Sequence, residues 1–402
     1  MASLSRRVAR ALLSPASQDL LAAIRWGHDD RIWQLLVERS SRGRVLPKTL
    51  HTRTDLPFSG VEAHRLRSAL APHLLAPSRR FRQVERVSLL ETSGYITPDG
   101  GWLIAGATSL VDSCLVDSDY ARKPSFRRYL QMRLRPGRSI RQLPRVVHLR
   151  DWSESNYWHF LNDIIGGRLR LALKSGVGPD TPLLLGRRAV EQPFVQEILA
   201  RSGLARMKLI VQDDELLRFR DILYFQTPRH SLDSVNFFVD WLNAPAARTS
   251  ATKRVLLARG GRAGRPMTNF AEVEAVCRQN GFETIHPDTL SLREQIELFS
   301  QVRYLVAEHG AGLTNMAFRR RAPLTVLEIF PAWAYTHPGG LVGPPPPHYF
   351  WLAQALGFQY DAIAGGAMDA GHPGMSFCVD PVLLEQRLAA ALGATPIRDH
   401  VR

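Results

Sequence analysis

Three groups of residues in this chain have the types and spacing that chemistry requires. The first is AEHGAGLTNMAF, residues 307–318, which follows the apolar run Tyr304, Leu305, Val306. A plain turn needs a glycine; this one places Glu308 and His309 before Gly310, Ala311 and Gly312. In an open parallel sheet, ligands lie beyond the carboxyl ends of the strands. Gly310 and Gly312 remove Cβ atoms at such an end, so that backbone amides can approach a bound group. A helix starting near Leu313 would aim its positive end at the same place, which favours a phosphate, and Thr314 and Asn315 would add side-chain donors. The competing reading is a tight strand-to-helix turn carrying a surface Glu and His.

The second group is DWSESNYWHFLNDIIGG, residues 151–167. At helical spacing Asn156, His159, Asp163 and Gly167 share one face, while Tyr157, Phe160, Leu161, Ile164 and Ile165 cover the other. A stripe of short polar groups and bare backbone suits the wall of a ligand site better than a solvated face, which would carry Lys, Glu and Arg. His159 and Asp163, at i and i+4, can touch, and one of them could act as general base toward a hydroxyl. The alternative is a buried polar contact for His159 beside a solvated Asp163.

The third group is LLARGGRAGRPMTN, residues 256–269, where a strand passes through a glycine-rich loop into a helix. It lacks the Lys-Ser/Thr of a phosphate-binding loop and the spacing of a dinucleotide fingerprint. Arg259 and Arg265 would still make a pair of diphosphate ligands, or else a solvated arginine loop. Glu328, in LEIFPAW at another strand end, could reach a ribose or sugar hydroxyl or be structural.

The elements that must hold these groups follow from hydrophobic pattern. A chain of 402 residues favours two domains. Residues 1–45 read as a helical segment, 46–243 as an α/β domain and 244–402 as a second α/β domain with a C-terminal helix, the two joined at the APAARTSAT stretch. Within 46–144, VSLLE and WLIAGATSLV suggest irregular strands. RVVHLR, PLLLG, KLIV and ILYF follow as strands, with helices over 156–174 and near 192–202. The second series alternates KRVLLAR, FETIH, RYLVA and LTVLEIF with helices. Asn269 with Glu272 and Ser291 with Glu294 read as capping boxes, Gly281 as a helix stop, and Asp380-Pro381 as a helix start. Strands alternating with helices of about ten residues indicate parallel, doubly wound sheets.

Composition limits the partners. The formal charge is +15, and only five of the 52 cationic side chains are Lys. An arginine-rich surface suits anionic ligands, but no basic run is interleaved with aromatics, so no nucleic-acid partner is expected. Cys114, Cys277 and Cys378 are far apart and without metal or redox spacing, which fits a reducing compartment. No apolar run approaches the ~20 residues that cross a bilayer. The basic N-terminus, MASLSRRVARALLSPASQDLL, is too broken for a secretory signal. It is compatible with peripheral contact at an anionic membrane surface, and the expected location is the cytoplasm or the inner face of the membrane. Asp29-Asp30 and Asp213-Asp214 are the adjacent aspartate pairs; neither is read as following a strand, so no metal ligand is assigned and a divalent metal is not required.

NYWHFLND, the Arg259/Arg265 loop with Asn269, and EHGAGLTN followed by VLEIFP occur in an order that resembles glycosyltransferase family 61. That group includes bacterial capsular-polysaccharide enzymes and eukaryotic xylosyl- and N-acetylglucosaminyltransferases. The resemblance spans about residues 145–331 and implies an α/β fold of the GT-B type, two Rossmann-like domains facing across a cleft. It also implies an inverting transfer from a nucleotide sugar, usually a uridine diphosphate (UDP) sugar, to a glycan hydroxyl. No tightly bound cofactor is implied. On this resemblance the donor belongs to the C-terminal domain and the acceptor to the N-terminal one. The implied donor residues are Arg259, Arg265, His309, Gly310, Ala311, Gly312, Thr314, Asn315 and Glu328, and the implied acceptor-side residues are Asn156 and Trp158. The base is Asp163 or His159, with Glu308 as the alternative. Glu308, and Phe270 after Asn269, depart from the family's pattern. A non-catalytic glycan-binding relative and a basic nucleic-acid-binding protein are the competing classes.

Overall fold

The computed structural model describes residues 141–151, 153–201, 203–215, 217–225, 232–259, 266–331, 348–367 and 376–393, together with short strands at 45–47, 58–59, 82–84, 88–90, 94–96, 102–104, 110–111, 335–336 and 342–343. The expected N-terminal helix and most of 46–140, the Gly260–Arg265 loop and most of 332–347 lie outside the described residues. The chain divides into two compact units, Met1–Thr49 with Pro77–Leu242 and Leu50–Ala76 with Asn243–Arg402.

The first unit is built on a mixed eight-stranded sheet. Its strands are β1 (Ser88–Leu90), β2 (Gly94–Ile96), β3 (Trp102–Ile104), β4 (Leu110–Val111), β5 (Arg141–His148), β6 (Leu183–Gly186), β7 (Leu209–Gln212) and β8 (Leu217–Tyr224). The order is β7-β6-β5-β8-β2-β3-β4, with β1 also on β8. The neighbours β5 to β8 are parallel, as the apolar runs and intervening helix predict. The VSLLE and WLIAGATSLV segments add antiparallel strands. The sheet is therefore mixed rather than wholly parallel.

The 157–174 helix departs from expectation in its winding. One α turn, Tyr157–His159, opens into a ten-residue π-helix, Phe160–Leu169, before α geometry returns at Arg170–Lys174. Its buried residues run through all ten π positions. Tyr157 and Phe160 meet the edge of Phe194 at 5.1 and 5.8 Å, which ties the run to the Pro193–Arg201 helix. On the other side the Leu232–Trp241 helix crosses at Gly166, where an added Cβ would lie 2.5 Å from the Ser234 carbonyl oxygen. Because that oxygen is backbone, Gly166→Ala must push two helices apart. It is expected to lower stability by about 1–3 kcal/mol in denaturant unfolding.

The second unit holds β9 (Lys253–Leu257), β10 (Glu283–Ile285), β11 (Val302–Glu308), β12 (Thr325–Phe330) and β13 (Gln359–Ala364), with Phe58–Ser59 at the edge. Every pairing is parallel, in the order β10-β9-β11-β12-β13. The strand order reverses between β9 and β11, so the switch-point crevice opens beyond their carboxyl ends. Helices Phe270–Gln279 and Pro381–Gly393 bury Val273, Cys277, Leu384 and Leu388 against Leu256, Val306, Leu327 and Ile363 of the sheet. Ser291 and Glu294 form the expected capping box, and Gly281 takes φ 78° after its helix. Asn269 is no such box: its side chain makes no cap bond. Its amide instead donates to the Val379 carbonyl at 2.7 Å and accepts from the Val379 amide at 3.0 Å, clamping a distant strand end. Among the described residues no helix is long and apolar enough to cross a membrane.

Candidate active site

The switch point of the second unit gathers most of the expected donor residues. Arg259 lies two residues beyond β9, and β11 ends at Glu308. The Arg259 Nη1 donates to the His309 carbonyl oxygen at 3.2 Å, so the guanidinium lies over the turn. Burial pushes the Arg259 guanidinium down from its ordinary value, and Glu308, Tyr349 and Asp288 push it back. A partly desolvated cation gains from an incoming anion, and the nearby Glu308 and Asp288 reduce that gain.

The turn itself differs from a helix begun at Leu313. Gly310 is extended, φ 170° and ψ 174°, and a 3₁₀ run starts at once over Ala311–Arg319. At Gly312 the absent Cβ serves packing, since it would lie 2.8 Å from Leu257 Cδ2. Gly310 is open by contrast: among the described residues an added Cβ meets nothing nearer than Arg259 Nη1 at 3.6 Å. Gly310→Ala is therefore expected to change stability by no more than about 0.5 kcal/mol while weakening the binding of any phosphate group held against the turn. Unchanged affinity in calorimetry would remove close backbone approach at this residue.

Thr314 and Asn315, expected as donors to a ligand, are fully buried. Thr314 Oγ1 donates to the Ala311 carbonyl at 2.6 Å within the 3₁₀ run, and Asn315 Nδ2 donates to Gln295 Oε1 at 2.9 Å, which pins the run to the helix Leu292–Phe299. Glu328, expected to reach a ribose or sugar hydroxyl, is also fully buried. Its Oε1 lies 2.5 Å from His309 Nδ1, and its Oε2 accepts from the Tyr360 hydroxyl. His309 is 7% exposed, with Phe330 against its ring at 4.9 Å and Tyr349 at 5.4 Å. Arg265 lies outside the described residues.

In the first unit the stripe on the 157–174 helix forms a connected group. His159 Nδ1 is 2.7 Å from Asp163 Oδ2, and Asn162 Nδ2 donates to Asp163 Oδ1 at 2.6 Å. The His159 side chain is 19% exposed and that of Asp163 only 6%, so the carboxylate is the inner partner rather than a solvated one. Asn156, expected on the acceptor side, caps the helix through its Oδ1, which accepts from the Trp158 and His159 amides at 3.0 and 3.4 Å. Trp158, also placed there, is 3% exposed and belongs to the core.

Several residues escaped sequence reading. Beyond β5, Arg150 Nε donates to both Glu154 oxygens at 2.8 and 2.9 Å, and its Nη1 donates to Gln212. Arg168 Nη2 donates to Asp151 at 2.8 Å. This buried network fixes the 150–156 loop from which His159 emerges. The signal was present in the charged residues of RDWSE, yet nothing local shows that they pair inward. Tyr360 lies on β13, a strand the sequence reading passed over. Asp213-Asp214 directly follow β7, contrary to expectation, because the strand runs one residue past the apolar KLIV. Asp213 there pairs with Arg187 at 2.8 Å. Among the described residues, no three His, Cys, Asp or Glu are gathered as metal ligands.

Residues 157–327 match the family model of glycosyltransferase 61. The match supports membership of family 61. It runs from Tyr157, at the start of the π-wound helix, to Leu327, one residue before Glu328, and so takes in His159, Asp163, Arg259 and His309. It supports glycosyltransferase activity. No curated protein matches the chain.

Proposed function

We propose that the chain is an inverting glycosyltransferase that moves a sugar from a nucleotide sugar, a UDP-sugar, to a hydroxyl of a glycan or polysaccharide acceptor. The observation that carries the reading is the pairing of Arg259 with the His309–Gly310 turn at the switch point of a parallel sheet, within the family-matched segment. The GT-B organisation belongs to the same reading, supported by two α/β units that each contain parallel strands.

In such a transfer the acceptor oxygen bonds to the anomeric carbon as the bond to the diphosphate breaks. The hydroxyl proton passes to a base and the departing charge to positive donors. Arg259 and the amides around Gly310 meet the diphosphate. His159 or Asp163, joined as a pair, takes the proton, with Glu308 as the alternative. No step requires a metal.

A thermal-shift panel of nucleotide sugars tests the donor, separating hexose from pentose and uridine from other bases; stabilisation by none sinks the reading. Arg259→Ala is expected to keep its fold and lose about 10–100-fold in UDP affinity, as for loss of a charge-assisted hydrogen bond. Donor binding without transfer to any glycan would instead favour a non-catalytic relative.

A further inference from the structure

The contact between Asn162 and Asp163 joins neighbours in sequence. In an α-helix residues i and i+1 do not face each other. The π run Phe160–Leu169 has more residues per turn, so adjacent side chains lie closer in angle, and Asn162 Nδ2 donates to Asp163 Oδ1 at 2.6 Å. Asn162 is 1% exposed. Its Oδ1 is buried and, among the described residues, accepts no hydrogen bond. The opposite amide orientation would set that oxygen against a carboxylate oxygen. The amide is therefore turned to suit Asp163 while its own oxygen stays unsatisfied by the protein, a desolvation cost that packing alone does not explain.

We propose that Asn162 is a positioning residue for sugar transfer: its amide holds Asp163 as the acceptor for the Nδ1 proton of His159, which fixes the ring tautomer whose Nε2 takes the acceptor's proton. The inference rests on the reading above in which His159 is the base. Asp163 Oδ2 lies 2.7 Å from His159 Nδ1, and the proton between them belongs to one or the other. Donation from Asn162 to Oδ1 favours the carboxylate form of Asp163, which leaves that proton on Nδ1. A neutral ring protonated at Nδ1 carries its basic lone pair at Nε2. In the transfer, the acceptor oxygen bonds to the anomeric carbon and the diphosphate leaves with its bonding pair. The hydroxyl proton goes to Nε2, and the imidazolium so formed keeps its Nδ1 proton on the carboxylate. The Asp163 side chain is only 6% exposed, so little water competes with Asn162 and His159 for its oxygens.

Asn162→Leu tests this, because it keeps the branched shape of the side chain and removes the donor. Nitrogen-15 NMR of His159, assigned by the signals lost in His159→Ala, reads the tautomer in alkaline solution, where the ring is neutral. The native chain is expected to carry the proton on Nδ1, and Asn162→Leu to move a measurable share of it to Nε2. In the transfer assay Asn162→Leu is expected to lower kcat about tenfold, as for loss of one hydrogen bond, with UDP affinity unchanged. In a His159→Ala background the same change should lower the residual rate no further. A native ring protonated at Nε2, a tautomer that Asn162→Leu leaves in place, an unchanged kcat, or equal rate losses in the two backgrounds each overturns the proposal. Should Asn162→Leu fail to fold, Asn162→Ala is read in the same way, and failure of both to fold overturns the proposal in favour of a structural role. A native chain that transfers no sugar sinks the transfer reading instead, and the tautomer measurement still decides whether Asn162 governs His159.

Discussion

Replacing His159 with alanine is expected to slow sugar transfer by about 10²–10⁴-fold, the usual contribution of a positioned general base, while UDP affinity stays at the native value. The imidazole is the more exposed member of its pair, and its Nδ1 faces a carboxylate that would stabilise the charge gained with the acceptor's proton. Asp163 has one oxygen on His159 and the other on Asn162, an arrangement that orients rather than abstracts. Steady-state kinetics on three variants separates the candidates. If Asp163 is the base, Asp163→Asn costs as much as His159→Ala; if Glu308 is the base, Glu308→Gln carries the loss and His159→Ala is mild. A fall in UDP affinity that matches the fall in rate would remove the acid–base role of His159.

Glu154→Ala should produce the largest stability change, a loss of about 3–5 kcal/mol, because it leaves a buried guanidinium without its counter-charge. Both side chains of the Arg150–Glu154 pair are only 6% exposed. Burial pushes the Glu154 carboxyl up while Arg150 pulls it down, so the carboxylate depends on Arg150 to stay charged in its buried position. Glu154 also accepts from the Gly186 amide at 3.3 Å, which ties the loop after β5 to the end of β6. Denaturant unfolding measures the effect, and replacing both partners with apolar residues should cost much less than removing one. A loss below about 1 kcal/mol would mean that water or another group compensates Arg150.

Nearest-neighbour chemistry made much of this legible. Alternating apolar runs and capping residues located the strands β5 to β12, but β5 and β8 begin well before the expected RVVHLR and ILYF, at Arg141 and Leu217, because the polar residues that extend them are recruited by pairing across the sheet. The His159–Asp163 contact followed from i, i+4 spacing, which stays a contact in a π-helix. The winding itself did not follow, since it depends on how the run packs against neighbours such as the Leu232–Trp241 helix, which lies close at Gly166.

The sequence by itself determined that a glutamate, a histidine and two glycines end one strand and that an arginine-bearing glycine loop ends another. Only the tertiary structure decided that those two strands flank the reversal of strand order, since parallel pairing joins segments about fifty residues apart. It likewise decided the fates of similar polar residues. Asn315 is buried where the 3₁₀ run meets the helix Leu292–Phe299, and Glu328 because a strand in a covered sheet buries polar and apolar side chains alike, so β12 is buried at every position. Whether a carboxylate meets a sugar or holds a histidine depends on what lies across the sheet, and the Tyr360 that holds Glu328 comes from a strand thirty-two residues further on.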